Sequence, residues 1–397
     1  MIVDRRKYSE VIEFPILIRV VMISTLIAVI GGVQILGFNI SGIAWVLPLF
    51  FSAIVLLANF GKQTYFPVYI WLPWVGYVLL SLLLSQEPNA LQRSFMMLTP
   101  LVVGFAVSIL LINKDHLVKF EEQYTFMGVA FLFVVFLKTG VLLTLQLPVY
   151  GTLAAEVMTG TLLCCLFAAS YALGNVKAIF NWAMLAIIPV IALTRTGMVV
   201  TSLSLVLTFA PLKRWQRIGA FLIIIAFGLA VFNSDRMQKK MFFSGSGTIT
   251  DMSFSNPDFT TSGRSYIWSL FEEGMAKRPW FGFGANASEM LVATYTKLRH
   301  PHNDWLRFLY DYGRVGTIIF AITILLQMRH ALNLAKQSYG RTRLLFYAGA
   351  SSFPLFMLFM FTDNIVLYAS FFGNLQFTIL GVAYASYSYS LSEKRDS

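Results

Sequence analysis

Residues 179–211 read IFNWAMLAIIPVIALTRTGMVVTSLSLVLTFAP. One charge interrupts the run, Arg195, in the short break Thr194-Arg195-Thr196-Gly197. A membrane-spanning helix needs roughly 20 apolar residues, so the run divides at the break into two spans. Lys177 precedes it, and Lys213, Arg214 and Arg217 follow it. An apolar hairpin with its basic flanks on one side carries the charge bias that sets membrane orientation.

The same pattern extends along the chain. Of the 397 residues, 57% are hydrophobic and 12% charged, against about 25% charged in a soluble domain. Lipid must therefore solvate most of the surface. The net charge of +11 reads as orientation signal, not as a nucleic-acid footprint. Twelve spans are expected, near 16–36, 42–60, 66–85, 94–112, 124–147, 149–173, 178–193, 197–211, 217–232, 303–328, 343–362 and 368–389. With the N-terminus cytoplasmic, the inside segments hold Arg5, Arg6, Lys7, Lys62, Lys114, Lys119, Lys177, Lys213, Arg214, Arg217, Arg329, Lys336, Arg341, Arg343, Lys394 and Arg395. The short outside loops hold only Arg93 and Arg195. Removing one helix would scatter the basic clusters over both sides. No cleavable signal peptide is expected, and the first apolar run reads as an anchor. Cys164 and Cys165 are adjacent in an apolar run and cannot staple distant segments.

The fold class is thus all-α, polytopic, with three regions. Residues 1–232 carry spans one to nine. Residues 233–302 form a polar outside loop with short helices. Residues 303–397 carry spans ten to twelve and a cytoplasmic tail. The loop opens with Ser244-Gly245-Ser246-Gly247-Thr248, read as a linker because no Lys follows the glycines as a phosphate loop requires. Ser262 is expected to cap a helix from there to about Met275, with Ile267, Leu270, Phe271 and Met275 on its apolar side. That helix would lie on the membrane face or across the bundle mouth. Pro279 to Gly284 reads as an aromatic turn.

The chemistry-bearing residues crowd the outside face. His302, in His300-Pro301-His302-Asn303-Asp304, stands at a helix N-terminus. There the helix dipole favours the neutral imidazole that a general base requires; an interfacial capping role explains the residue equally. At about 100° per residue, Gly313 and Gly316 fall below His302, and Asp304 and Asp311 on the opposite face. The glycines would admit a neighbouring helix or a lipid tail. Arg195 breaks the charge rule of its loop, and Arg264, in the first turn of the loop helix, opposes the dipole. Guanidinium binds phosphate bidentately, so the two arginines point to an anionic ligand such as a pyrophosphate. Lys138 and Glu156 lie at depths about 3 Å apart on consecutive spans joined near Pro148, and are expected to pair or to line a polar cavity. Asp363 is a candidate for ligand contact or for orienting a base, or a cap with Asn364. No metal site or serine-hydrolase elbow is legible.

His302-Asn303, nine residues, Gly313, two residues, Gly316 resembles the H-[NSQ]-x9-G-x-x-[GTY] signature of bacterial O-antigen ligases. Arg195 in Thr-Arg-Thr-Gly and Arg264 in Gly-Arg-Ser-Tyr-Ile-Trp resemble that family's loop arginines, and the twelve spans and long periplasmic loop resemble its topology. The resemblance implies a glycosyltransferase of the Gram-negative inner membrane, with both termini cytoplasmic and its site facing the periplasm. The implied donor is a glycan on undecaprenyl pyrophosphate and the implied acceptor lipid A-core, with membrane lipid around them and no metal, cofactor or nucleic acid. His302 would be the base, Arg195 and Arg264 would hold the pyrophosphate, and transfer would invert the anomeric centre. Asn303, Gly313, Gly316, Asp363, Lys138 and Glu156 are the expected substrate-binding residues. O-antigen polymerases and protein O-oligosaccharyltransferases share features of the superfamily. A polyprenyl-glycan flippase would show internal repeats and mid-membrane charges, and no repeat is seen.

Overall fold

The computed structural model describes residues 14–30, 34–35, 38–146, 153–253, 255–261, 263–296 and 300–396. Arg5, Arg6, Lys7, Pro148 and Ser262 lie outside the described residues. Helices α1 (Ile16–Ile30) and α2 (Ile40–Ala58) are followed by α3 (Val68–Leu82), α4 (Ala90–Ser108), α5 (Lys114–Thr144) and α6 (Ala154–Ala172). Next come α7 (Ala178–Ala186), α8 (Ile188–Ile191), α9 (Arg195–Val206) and α10 (Arg214–Phe232). The polar segment carries α11 (Asp235–Met241), α12 (Arg264–Lys277) and α13 (Ala287–Tyr295). The chain closes with α14 (Asp304–Asp311), α15 (Gly313–Gln337), α16 (Gly340–Phe359) and α17 (Gly373–Asp396). A two-residue antiparallel ribbon, Ile35 opposite Phe38, joins α1 to α2.

Each apolar stretch read in the sequence contains helix among the described residues. Among the described residues, α4, α5, α6, α10, α15 and α16 are each long and apolar enough to cross a bilayer, and four shorter apolar helices accompany them. The surface is inverted relative to a soluble protein. Phe126, Phe133 and Phe136 on α5 are each more than half exposed, and α10 buries none of its residues. Such faces need lipid as solvent. Inside, some polar side chains pair across helices. Thr161 on α6 meets Thr201 on α9, and the Trp182 indole donates to Ser204. Cys164 and Cys165 are buried and unbridged. Helices α4 and α17 approach closely because Gly104 and Gly381 face one another: a Cβ on Gly381 would lie 2.8 Å from the Gly104 carbonyl.

Four sequence expectations change. The seventh span is broken between α7 and α8, where Pro189 supplies no amide for the ladder. Arg195 is not in a loop: it opens α9. The loop helix begins after Gly263, which is left-handed and offers no side-chain cap. Its apolar side packs Ile267 and Phe271 against Ala287, Val292 and Tyr310 of the loop and of α14.

The fourth change decides the site. The tenth span is not one helix. It breaks at Gly313, whose φ is +65°, so the facing computed for a continuous helix fails beyond Asp311. The aromatic turn fills the break. The Phe283 amide donates to the Tyr310 carbonyl at 3.0 Å and the Gly284 amide to Asp311 at 2.9 Å. In return the Arg314 amide donates to Pro279 at 2.9 Å and the Val315 amide to Trp280 at 3.1 Å. The backbone groups freed by the break are thereby paired. A Cβ at Gly313 would lie 2.3 Å from the Trp280 carbonyl oxygen, and one at Gly282 2.4 Å from that of Asp311. Gly316 sits against the Tyr77 ring of α3, 2.4 Å from where its Cβ would be.

Left-handed backbone and backbone contact together exclude a side chain at position 313. Gly313→Ala should cost about 1–3 kcal/mol and lower the melting temperature of the detergent-solubilised protein. An unchanged melting curve would contradict the packing of the turn on the break.

Candidate functional site

The site is built on the first turn of α14. Asn303 caps it, its side chain accepting from the Leu306 amide at 3.0 Å. His302, one residue before, is left-handed with φ +52°, uncommon for a residue with a side chain. Asp304 fixes the opposite wall. Its carboxylate accepts from the Val366 amide at 2.8 Å, and its own amide donates to the Met360 carbonyl at 2.7 Å. The α16–α17 connection is thus pinned across the start of α14, bringing Asp363 and Asn364 to His302.

Asp363 Oδ1 lies 3.5 Å from His302 Nδ1 and accepts from the Asn364 amide at 2.9 Å, which orients the carboxylate. Asn364 Nδ2 is 3.3 Å from the same ring nitrogen. The Asp363 carboxylate favours the tautomer with the proton on Nδ1, which leaves Nε2 as the acceptor, while a donating Asn364 Nδ2 favours the other. The imidazole is about one-third exposed.

Arg264 and Arg195 come to the same mouth from two other elements. Helix α12 is tied to the histidine segment by Trp268, whose indole donates to the Pro301 carbonyl at 3.0 Å. Arg264 stands four residues before Trp268, on the same side of the helix. The Arg195 guanidinium donates to the Thr260 carbonyl at 3.0 Å and lies 5.3 Å from the centre of the Phe259 ring. Burial, and then the charge of Arg264, disfavour the cationic form of Arg195. Burial also acts against Arg264, partly offset by Asp363. Among the described residues neither arginine forms an ion pair. Two half-buried cations side by side disfavour one another, and an added anion would stabilise both.

The remaining sequence candidates have defined places. Lys138 and Glu156 form an ion pair at 2.8 Å, as expected. Val157, beside Glu156, packs on Gly197, two residues from Arg195. Asn303 is spent on its cap. Gly313 and Gly316 are filled by the aromatic turn and by Tyr77.

Three features escaped the sequence. Lys240 of α11 is close enough for its charge to feel both arginines; its only signal was one lysine among eight basic residues of the polar segment. Arg307 is buried between Asp304, 3.1 Å away, and Asp311, 3.6 Å away. Arg93, the other stray outside charge, pairs with Glu289 of α13 at 3.0 Å. His300 lies beside that pair, and burial pulls its imidazole down to about 4.

A fold with membrane-length apolar helices thus presents a histidine–carboxylate pair beside clustered arginines. Residues 179–321 match the family model described as O-antigen ligase. The matched segment contains Arg195, Arg264 and His302; Asp363 lies beyond it. No curated protein gives a significant match to the chain.

His300 yields an acid-stability test. Its folded pKa lies below the usual 6.5, so the unfolded chain binds more protons between pH 6.5 and 4. Stability is therefore full above pH 6.5 and falls as pH drops toward 4, by about 1–3 kcal/mol after allowance for partial exposure. His300→Gln should flatten the fall in melting temperature between pH 7 and 4.5. An identical slope in the variant would remove His300 as the cause.

Proposed function

We propose that the protein transfers an O-antigen glycan from undecaprenyl pyrophosphate to a hydroxyl of lipid A-core. The observation that carries this reading is the meeting of Arg195, Arg264, Asp363 and His302 at one mouth of the membrane bundle. The acceptor hydroxyl approaches His302 Nε2. Its oxygen attacks the anomeric carbon, its proton passes to Nε2, and the bond from that carbon to the pyrophosphate breaks. The electron pair leaves with undecaprenyl pyrophosphate. Attack opposite the leaving group inverts the anomeric centre.

Each residue has a role of its own in this reading. Asp363 holds the proton on Nδ1 and steadies the imidazolium that forms. Arg195 and Arg264 offset the charge growing on the leaving group, a contribution largest in a water-poor site. Asn303, Gly313 and Gly316 act through the frame that aims His302. The reading places residues 233–302 in the periplasm and both termini in the cytoplasm, with twelve crossings in all. The three sequence regions then act as one unit, the outside loop forming the wall of a site floored by α14.

Purified protein in a bilayer, supplied with lipid-linked glycan and lipid A-core, should form glycosylated core. Transfer onto a second lipid-linked glycan would make it a polymerase, and transfer onto protein hydroxyls an oligosaccharyltransferase. No transfer to any of the three would sink the reading. His302→Ala should lower kcat by about 10²–10⁴-fold with the folded protein still in the membrane. Arg195→Lys and Arg264→Lys should each fall well short of full activity, because lysine cannot make the two-pronged contact. Full activity in either would argue against bidentate phosphate binding.

A further inference from the structure

We propose that Lys240 is the third cation of the pyrophosphate site, an inference that rests on the transfer reading above. The placement comes from a closed set of contacts. The Lys240 ammonium donates to the carbonyl of Leu193, a residue with φ +49° in the turn that delivers Arg195 two positions later. The next residue, Met241, accepts from the Thr260 amide at 2.8 Å. The Thr260 carbonyl in turn receives the Arg195 guanidinium. Arg264 begins α12 four residues further on, its amide donating to the Thr261 carbonyl at 3.2 Å. Three cations from α9, α11 and α12 therefore issue from one knot of backbone at 193–195, 240–241 and 259–264.

Three positive groups gathered there repel one another, and the Asp363 carboxylate that acts on Arg264 offsets only part of that charge. A diphosphate offers two negative groups and many acceptor oxygens. An ammonium has three donors, so holding the Leu193 carbonyl does not preclude phosphate contact. The arginines stay charged at any working pH, whereas a lysine shifts its pKa readily. Burial first, then the charges of Arg195 and Arg264, bring the Lys240 ammonium down to about 8. Both arginines act on it as like charges, Arg195 from α9 and Arg264 from α12. Below pH 8 the site holds three cations; above it, two. Donor affinity should therefore fall as pH rises through that range, and a bound diphosphate should hold the proton on Lys240.

The test is calorimetric binding of geranyl pyrophosphate to the full-length protein in nanodiscs between pH 7 and 9.5. This probe's diphosphate is fully ionised above neutral pH. Wild type should weaken roughly tenfold or more over that range, at up to tenfold per pH unit. Lys240→Arg should bind as wild type at pH 7 and show no such fall. Lys240→Met should bind at least tenfold more weakly at pH 7, again without the fall. A Lys240→Met protein with wild-type affinity and slope overturns the proposal. So does loss of binding in both variants, which would reduce Lys240 to a clamp on Leu193, and so does failure of the wild type to bind. Transfer assays on the same samples separate the two readings. Lys240-dependent binding without glycan transfer supports the anion site and removes the transferase. Transfer with binding indifferent to Lys240 keeps the transferase and removes Lys240.

Discussion

One guanidinium, shut away from water, organises the outer half of this protein. Arg307 lies between Asp304 and Asp311, and all three side chains are almost wholly buried. Each carboxylate also reaches a different piece of chain. Asp304 takes the Val366 amide, and Asp311 takes the Ser288 amide and hydroxyl at 2.7 and 3.0 Å. The α16–α17 connection, the start of α13 and the helix that follows His302 are thereby locked into one body. Buried charges are expensive, and removing one partner of such a set costs about 3–5 kcal/mol. The arrangement therefore makes little sense as a source of stability alone. It fixes where Asp363 and Asn364 stand relative to the imidazole. Geometry at that level is what a base and its orienting carboxylate need.

The break in the tenth span serves the same end. A continuous helix would carry the direction of α15 straight through His302. With Gly313 in the left-handed region, the short α14 is free to take its direction from the loop and from Arg307. The aromatic turn 279–284 satisfies the amides and carbonyls that the break exposes. The loop helix α12 is then set on α14 by Ile267, Phe271 and Tyr310, which brings Arg264 over the mouth. The outside segment is thus a wall built onto α14, with its own small apolar core.

How much of this was legible in the sequence follows from what sequence patterns encode. Apolar runs and basic flanks located the helices, because lipid imposes both constraints locally. Arg195, Arg264 and His302 stood out because charge and imidazole are rare beside such runs. Asp304, Arg307 and Asp311 did not, since their three- and four-residue spacings look like ordinary surface ion pairs; only tertiary contact reveals that they are buried. The break at Gly313 was hidden by the assumption of an unbroken helical period, and Pro189 disguised the seventh span in the same way. Lys240 was one basic residue in a polar stretch, and nothing local ties it to Arg195, 45 residues earlier. The segment near Ser244 read as a plain linker, yet Asp258 gathers the Ser244 amide and hydroxyl at 2.7 and 2.6 Å, and Gln238 receives the Gly247 amide at 2.7 Å.

Helix α10, which buries no residue, stands apart from all this. Its neighbour requirements are met by lipid tails, and those are indifferent to side-chain shape. Any apolar residue serves there about as well as another, whereas α6, packed on every side, accepts few exchanges. Over generations the two helices should diverge at very different rates: α10 drifting within the limits of hydrophobicity, α6 nearly frozen. The mutational freedom of this chain is thus distributed by solvent, with lipid-facing helices as its reservoir of neutral variation.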